Sequence, residues 1–146
     1  KSDQFAGRDF WVSLKTRVDL IAGKRKANGV FKGSDNYLLE DISVMNEEQV
    51  KKNTDAIRAF AEEYPELPVY MMLVPNAANV LQDKLPLFAV TEDQDAQFAK
   101  IQKDLGDSVH WIDVSKTMKK HKNEEIYYHT DHHWTTLGAP MLTRHW

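Results

Sequence analysis

The sequence predicts a layered α/β domain with a mostly parallel sheet. One continuous apolar run, residues 69–74, and a second strand candidate, residues 109–114, have the length of buried strands. Amphipathic stretches with helical spacing precede both of these segments. Strands that alternate with helices are typical of parallel sheets covered by helices. We therefore expect ligands to bind in the loops after Val74 and Val114, beyond the carboxyl ends of these strands.

Length and composition narrow the class of protein. The chain has 146 residues, of which 42% are hydrophobic and 28% charged, as in an ordinary soluble domain. Its net charge of −3 does not favour a nucleic-acid partner. It has no cysteine, which excludes disulfides, thiolate metal sites and a cysteine nucleophile. The first residue is Lys1 rather than Met, so we expect that a targeting segment preceded it.

The first half of the chain predicts a helix, a hairpin and a second helix. Apolar residues recur at helical spacing over residues 10–21, and the basic residues there form either a solvated face or a docking patch for a polyanion or membrane. Two short apolar runs flank residues 33–36 (GSDN), which is typical of a β-hairpin. Asn46 with Gln49 predicts the capped start of a helix that Pro65 ends.

The second half predicts another helix, a strand and a short helix. Thr91 with Gln94 has the spacing of a capping box, and Gly106 is placed to end that helix. The strand at 109–114 follows, and Ser115 is placed to cap the short helix after it.

The densest group of chemically active side chains lies at residues 127–134 (YYHTDHHW). On an extended backbone His129, Asp131 and His133 would share one face, and His132 would point the other way. Asp131 could then accept a hydrogen bond from one nitrogen of His133 and leave the other nitrogen as a base. This pair is the orienter and base of an Asp–His–Ser arrangement.

Two other interpretations of this segment stay open. His129, Asp131 and His133 are chemically suited to hold a zinc ion with water as the fourth ligand, although all three come from one short segment. Alternatively, the segment is a structural turn in which Thr130 or Asp131 caps the next helix and the histidines bond to backbone groups.

Three serines are candidates for the nucleophile, and Ser115 has the best local position of the three. A serine nucleophile belongs on the turn between a buried strand and a helix. Ser108 lies in the tripeptide Gly-Asp-Ser of the GDSL esterases, but it follows a helix and precedes a strand. Ser34 lies in the hairpin turn. Ser115 follows the strand that ends at Val114, but it opens a lysine-rich stretch and is more typical of a helix cap.

Five stretches together resemble one protein family. They are residues 3–11 (DQFAGRDFW), 29–40 (GVFKGSDNYLLE), 73–78 (LVPNAA), 84–86 (KLP) and 131–134 (DHHW). This pattern resembles the DHHW family, a branch of the alginate O-acetyltransferase-like proteins with an SGNH-hydrolase-like fold. The order of the stretches is that of the family, although Asn36 stands where its turn usually has glycine.

The resemblance implies a site and a reaction. Residues 1–146 would be the N-terminal portion of a single three-layer, SGNH-hydrolase-like domain, which would be incomplete. Asp131 and His133 would be the catalytic orienter and base, and the nucleophilic serine would lie beyond Trp146. Tyr128 and Trp134 would either stack on sugar rings or be buried.

The resemblance also implies partners and a location. The substrate would be an acetylated surface polysaccharide or an acetyl donor, with transfer or ester hydrolysis as the reaction. A membrane-bound acetyl-transfer partner would accompany a secreted or membrane-anchored, extracytoplasmic protein, and no cofactor or metal would be needed. The alternatives are a catalytically silent carbohydrate-binding or scaffolding module, or a metal-binding protein that uses the His/Asp cluster.

Overall fold

The computed structural model describes residues 26–27 and 29–140. The strands are β1 (Lys26–Ala27), β2 (Val30–Lys32), β3 (Leu38–Glu40), β4 (Tyr70–Met72) and β5 (His110–Ile112). The helices are α1 (Glu47–Glu63), α2 (Ala77–Val80), α3 (Gln94–Leu105) and α4 (Ser115–Lys120). The helix predicted over residues 10–21, with its basic face, lies outside the described residues. Within the described part of the chain, no helix combines the length and the apolar character needed to cross a membrane.

The five strands form two small sheets. Strands β1, β2 and β3 pair antiparallel in that order, and β4 pairs with β5 in parallel. In the parallel pair Tyr70 lies opposite His110 and Met72 opposite Ile112. The predicted hairpin and the predicted parallel pairing are therefore confirmed. Each strand of the parallel pair is three residues long, half of the six-residue segment that predicted it.

The hairpin turn depends on two left-handed residues and one glycine. Asp35 and Asn36 have φ values of 53° and 62°, and Asn accepts this conformation better than most residues because its short side chain bonds locally. Gly33 serves a different purpose. A Cβ atom there would lie 2.5 Å from the backbone oxygen of Lys84. The hairpin turn thus packs directly against the segment that follows α2.

The N-terminal cap of α1 follows the sequence pattern, whereas that of α3 departs from it. Asn46 accepts a hydrogen bond from the Gln49 amide at 3.0 Å, as predicted. Helix α3 begins two residues later than expected, because Asp93 accepts from the Ala96 amide at 3.0 Å. The predicted cap Thr91 instead accepts from the Ile42 amide at 3.1 Å.

The start of α4 also differs from the prediction, whereas the end of α3 agrees with it. Ser115 is the first residue of α4 rather than its cap. Asp113 accepts from the Lys116 amide at 3.3 Å and takes over the capping role. Gly106 ends α3 with a φ of 51°, as the sequence predicted.

The core joins the hairpin to the segment that carries the histidines. Leu39 of β3, Ala78 of α2 and Met118 of α4 are fully buried. Tyr127 is buried with them and donates its hydroxyl to the Pro75 carbonyl at 2.6 Å. Burial raises the pKa of Tyr127 far above its ordinary value, so the hydroxyl keeps its proton. Tyr127 thereby fixes the start of the histidine-bearing segment against the core.

Candidate functional site

The histidines lie on a short closed loop, residues 128–133, which we call the His-rich loop. Tyr127 and Trp134 form an antiparallel bridge at its base. The Tyr128 amide donates to the His133 carbonyl at 3.1 Å, and the Thr135 amide donates to the Ile126 carbonyl at 2.8 Å. The backbone between these anchors is bent rather than extended. The predicted alternation of side chains along an extended strand is therefore wrong.

Asp131 and His133 form the hydrogen-bonded pair that the sequence predicted. His133 Nδ1 lies 2.7 Å from Asp131 Oδ1. A carboxylate can only accept, so Nδ1–H is the donor and Nε2 is free to accept a proton. The His133 amide donates to the same oxygen at 3.3 Å. The side-chain hydrogen bond from His133 lowers the pKa of Asp131, which keeps the carboxylate ionised.

His132 lies with this pair rather than opposite it. Its Nδ1 is 3.3 Å from Asp131 Oδ1 and 3.9 Å from Glu40 Oε2. Its ring centroid is 4.1 Å from that of His133. The bend in the loop has brought Asp131, His132 and His133 together, with ligand atoms within 4.8 Å of one another. The prediction from the sequence missed this grouping because it assumed an extended backbone.

His129 turns away from the group and contacts the hairpin. Its Nδ1 is 2.9 Å from the Asp35 carbonyl oxygen. Its ring stacks on Tyr37 with centroids 4.0 Å apart. The Leu38 amide donates to the His129 carbonyl at 2.6 Å. The predicted metal set of His129, Asp131 and His133 is therefore wrong as a set, since these contacts hold the His129 ring against the hairpin.

A groove of about 270 Å³ runs between the hairpin and the His-rich loop. Its lining residues are Val30, Leu38, Glu40, Thr130, Asp131 and His132. One wall comes from β2 and β3 and the other from the loop. The catalytic candidate Asp131 thus borders a concave surface, and sequence reasoning did not find the contribution of the hairpin.

The two aromatic candidates, one at the start of the loop and one directly after it, are open to solvent. Tyr128 is 48% exposed and Trp134 is 39% exposed. The alternative that they are buried is therefore wrong, and both retain surface on which a sugar ring could stack.

The serine candidates do not line the groove next to Asp131. Ser108 lines a different cleft, beside the end of α1, and Ser115 lines one beside α3. Ser34 lies in the hairpin turn. Among the residues described, the lining of the groove next to Asp131 contains no serine.

Fold and site together define an α/β domain that presents a hydrogen-bonded carboxylate–imidazole pair on an exposed loop. The family model described as "SGNH hydrolase-like domain, acetyltransferase AlgX" matches residues 30–144. The chain therefore belongs to this family. The predicted SGNH-hydrolase-like fold and the kinship with alginate O-acetyltransferase-like proteins are confirmed, whereas membership of the DHHW branch stays a prediction. No curated protein sequence matches the chain.

Solved structures share this fold. Bacillus cereus PatB1 with a sulfonyl adduct has a TM-score of 0.66 and 24% identity over 77% of this chain and 40% of its own. The O-acetyltransferase domain of Pseudomonas putida AlgJ has a TM-score of 0.64 and 23% identity over 78% of this chain and 44% of its own. The chain therefore spans about two fifths of the length of the structures it matches.

Proposed function

We propose that this chain supplies the base and the orienting carboxylate for O-acetyl transfer or acetyl-ester hydrolysis on a polysaccharide. The supporting observation is the 2.7 Å contact between His133 Nδ1 and Asp131 Oδ1 on an exposed loop. Membership of the AlgX acetyltransferase family supports the same reaction class. Such a pair performs general-base catalysis when a hydroxyl nucleophile lies within reach of Nε2.

In the proposed reaction His133 Nε2 takes the proton of a serine hydroxyl as its oxygen attacks the acetyl carbonyl. Asp131 stabilises the imidazolium that results. The imidazolium then donates the proton to the departing alcohol, and an acetyl-serine remains. A sugar hydroxyl or water reverses these steps and releases the acetyl group. We place the serine outside the described residues, because none of the described serines lines the groove next to Asp131.

We propose that the polysaccharide chain runs across the exposed loop. Tyr128 and Trp134 would stack on pyranose rings, since both aromatic side chains have free surface. An acetylated surface polysaccharide, an acetyl donor and a membrane-bound acetyl-transfer partner belong to the same proposal, as does an extracytoplasmic location. The proposal also places residues 1–146 within one domain.

Substitution of the pair in the natural full-length protein tests this function. We expect His133→Ala to lower kcat/KM for an aryl acetate by on the order of 10⁴-fold, and Asp131→Asn by about 10³- to 10⁴-fold. His121→Ala is a matched control, because His121 Nδ1 also lies 2.7 Å from a carboxylate oxygen, that of Glu124. The control should keep its rate. Activity that survives His133→Ala within a few-fold would contradict the assignment.

The exposed aromatic pair also supports a second candidate, a carbohydrate-binding module without catalysis. In that case an acetylated oligosaccharide would bind, Trp134→Ala would weaken binding, and neither transfer nor hydrolysis would occur. Isothermal titration of the oligosaccharide, run beside the ester assay, separates the two functions. Binding without turnover favours the module, and turnover that depends on His133 favours the enzyme.

A further inference from the structure

The tip of the His-rich loop brings three ligand atoms within 4.8 Å of one another. We propose that Asp131, His132 and His133 bind a divalent transition-metal ion of the zinc class, and that the bound ion stops His133 from acting as a base. The binding part depends only on the arrangement of these side chains. The inhibitory part rests on the proposed function.

The distances from Asp131 Oδ1 to the two imidazole nitrogens suit such an ion. Zinc bonds to imidazole nitrogen and carboxylate oxygen are about 2.1 Å long in a tetrahedral arrangement, which places neighbouring ligand atoms about 3.4 Å apart. His132 Nδ1 and Asp131 Oδ1 are 3.3 Å apart. His133 Nδ1 and Asp131 Oδ1 are 2.7 Å apart and need to separate by less than 1 Å. Small rotations of exposed side chains accomplish this.

Charge and access also favour a cation. Two imidazoles and a carboxylate form a donor set that zinc uses with water as a fourth ligand. Glu40 Oε2, 3.9 Å from His132 Nδ1, adds a second negative group beside the three ligands. The side chains of Asp131, His132 and His133 are all about half exposed or more, so an ion can enter without any rearrangement of the fold.

Metal binding and base catalysis use the same ring atom of His133. In the metal-free pair Nδ1–H donates to Asp131 and Nε2 accepts a proton. A metal on Nδ1 displaces that proton, and the neutral ring then carries its proton on Nε2. A ring with Nε2–H has no site to take a proton from a nucleophile. The ion therefore excludes catalysis rather than assisting it.

Calorimetric titration of this chain with zinc chloride in a non-chelating buffer tests the site. We expect one ion per chain, and we expect His132→Ala to weaken zinc binding at least tenfold. His121→Ala is the control, since His121 and Glu124 form a histidine–carboxylate pair outside the loop, and its affinity should be unchanged. Imidazole ¹⁵N spectra should shift for His132 and His133. Equal affinity of His132→Ala and wild type would overturn the site.

The inhibitory part is tested on the natural full-length protein, with each variant compared with its own rate in the presence of a chelator. Zinc should inhibit the wild type reversibly, and His132→Ala should need at least tenfold more zinc. Zinc binding with no loss of aryl-acetate turnover would overturn the inhibition and leave the site standing. Absence of turnover in chelator would instead contradict the proposed function, and the titration would still decide the metal site.

Discussion

One carboxylate oxygen of Asp131 contacts two imidazole rings. Asp131 Oδ1 is 2.7 Å from His133 Nδ1 and 3.3 Å from His132 Nδ1. The His133 amide also donates to this oxygen, and so the carboxylate favours His133 over its neighbour. The pair forms within three consecutive residues, which is why its existence could be predicted from the sequence. The role of His132 could not, because it depends on the direction in which the loop bends.

His129 holds the His-rich loop in place, and its removal is predicted to loosen the pair. His129→Ala deletes the stack on Tyr37 and the hydrogen bond to the Asp35 carbonyl but keeps the backbone bond from Leu38. We expect a loss of about 1–2 kcal/mol in the free energy of unfolding, measured in urea. We also expect altered imidazole ¹⁵N signals for His133.

His110→Ala is the matched control for this variant. His110 also packs its ring against a tyrosine, Tyr70, with centroids 5.1 Å apart, but it lies on β5. The control should leave the His133 signals unchanged. If His129→Ala and His110→Ala affect those signals equally, His129 does not position the loop.

For helices and strands, local sequence patterns predicted which elements exist and of which type better than they predicted where each element begins and ends. The hairpin, α1 and the parallel pair of strands each have a strong local signal, and all three are present. The start of α3 differs from the prediction because Asp93 caps it, while the Thr91 hydroxyl accepts a hydrogen bond from the Ile42 amide instead. Such a contact joins residues 49 positions apart, so no local pattern contains it.

The docking of the hairpin onto the segment after α2 is predicted to depend on Gly33. Its φ of −79° suits any residue, but a Cβ atom would lie 2.5 Å from the Lys84 backbone oxygen. We therefore expect Gly33→Ala to lower the free energy of unfolding by about 1–3 kcal/mol in urea denaturation. Ser34→Ala, at an exposed position of the same turn, should change it by less than about 0.5 kcal/mol. Equal stability of Gly33→Ala and wild type would show that the turn does not pack as described.

At the scale of the whole molecule, ion pairs connect elements that are distant in sequence. Lys122, just after α4, donates to Asp83 at 2.9 Å, and Lys100 of α3 donates to Glu47 of α1 at 2.7 Å. The hydrogen bond from each lysine lowers the pKa of its carboxylate. The sequence could not predict these pairs, because many exposed lysines and carboxylates offer equivalent local patterns.

These depressed pKa values predict how stability depends on pH. The folded chain holds the pKa of Asp83 below the ordinary value of 3.8, so the unfolded chain binds protons more readily. The stability that the pair contributes is present at neutral pH, begins to fall near that ordinary value and is lost as pH drops through the lower folded pKa. The free energy of unfolding, measured in urea, should therefore differ less between pH 7 and pH 3 for Asp83→Asn than for wild type. Asp107→Asn, at an exposed residue of the turn after α3, serves as the control. An unchanged pH dependence in Asp83→Asn would contradict the pair's contribution.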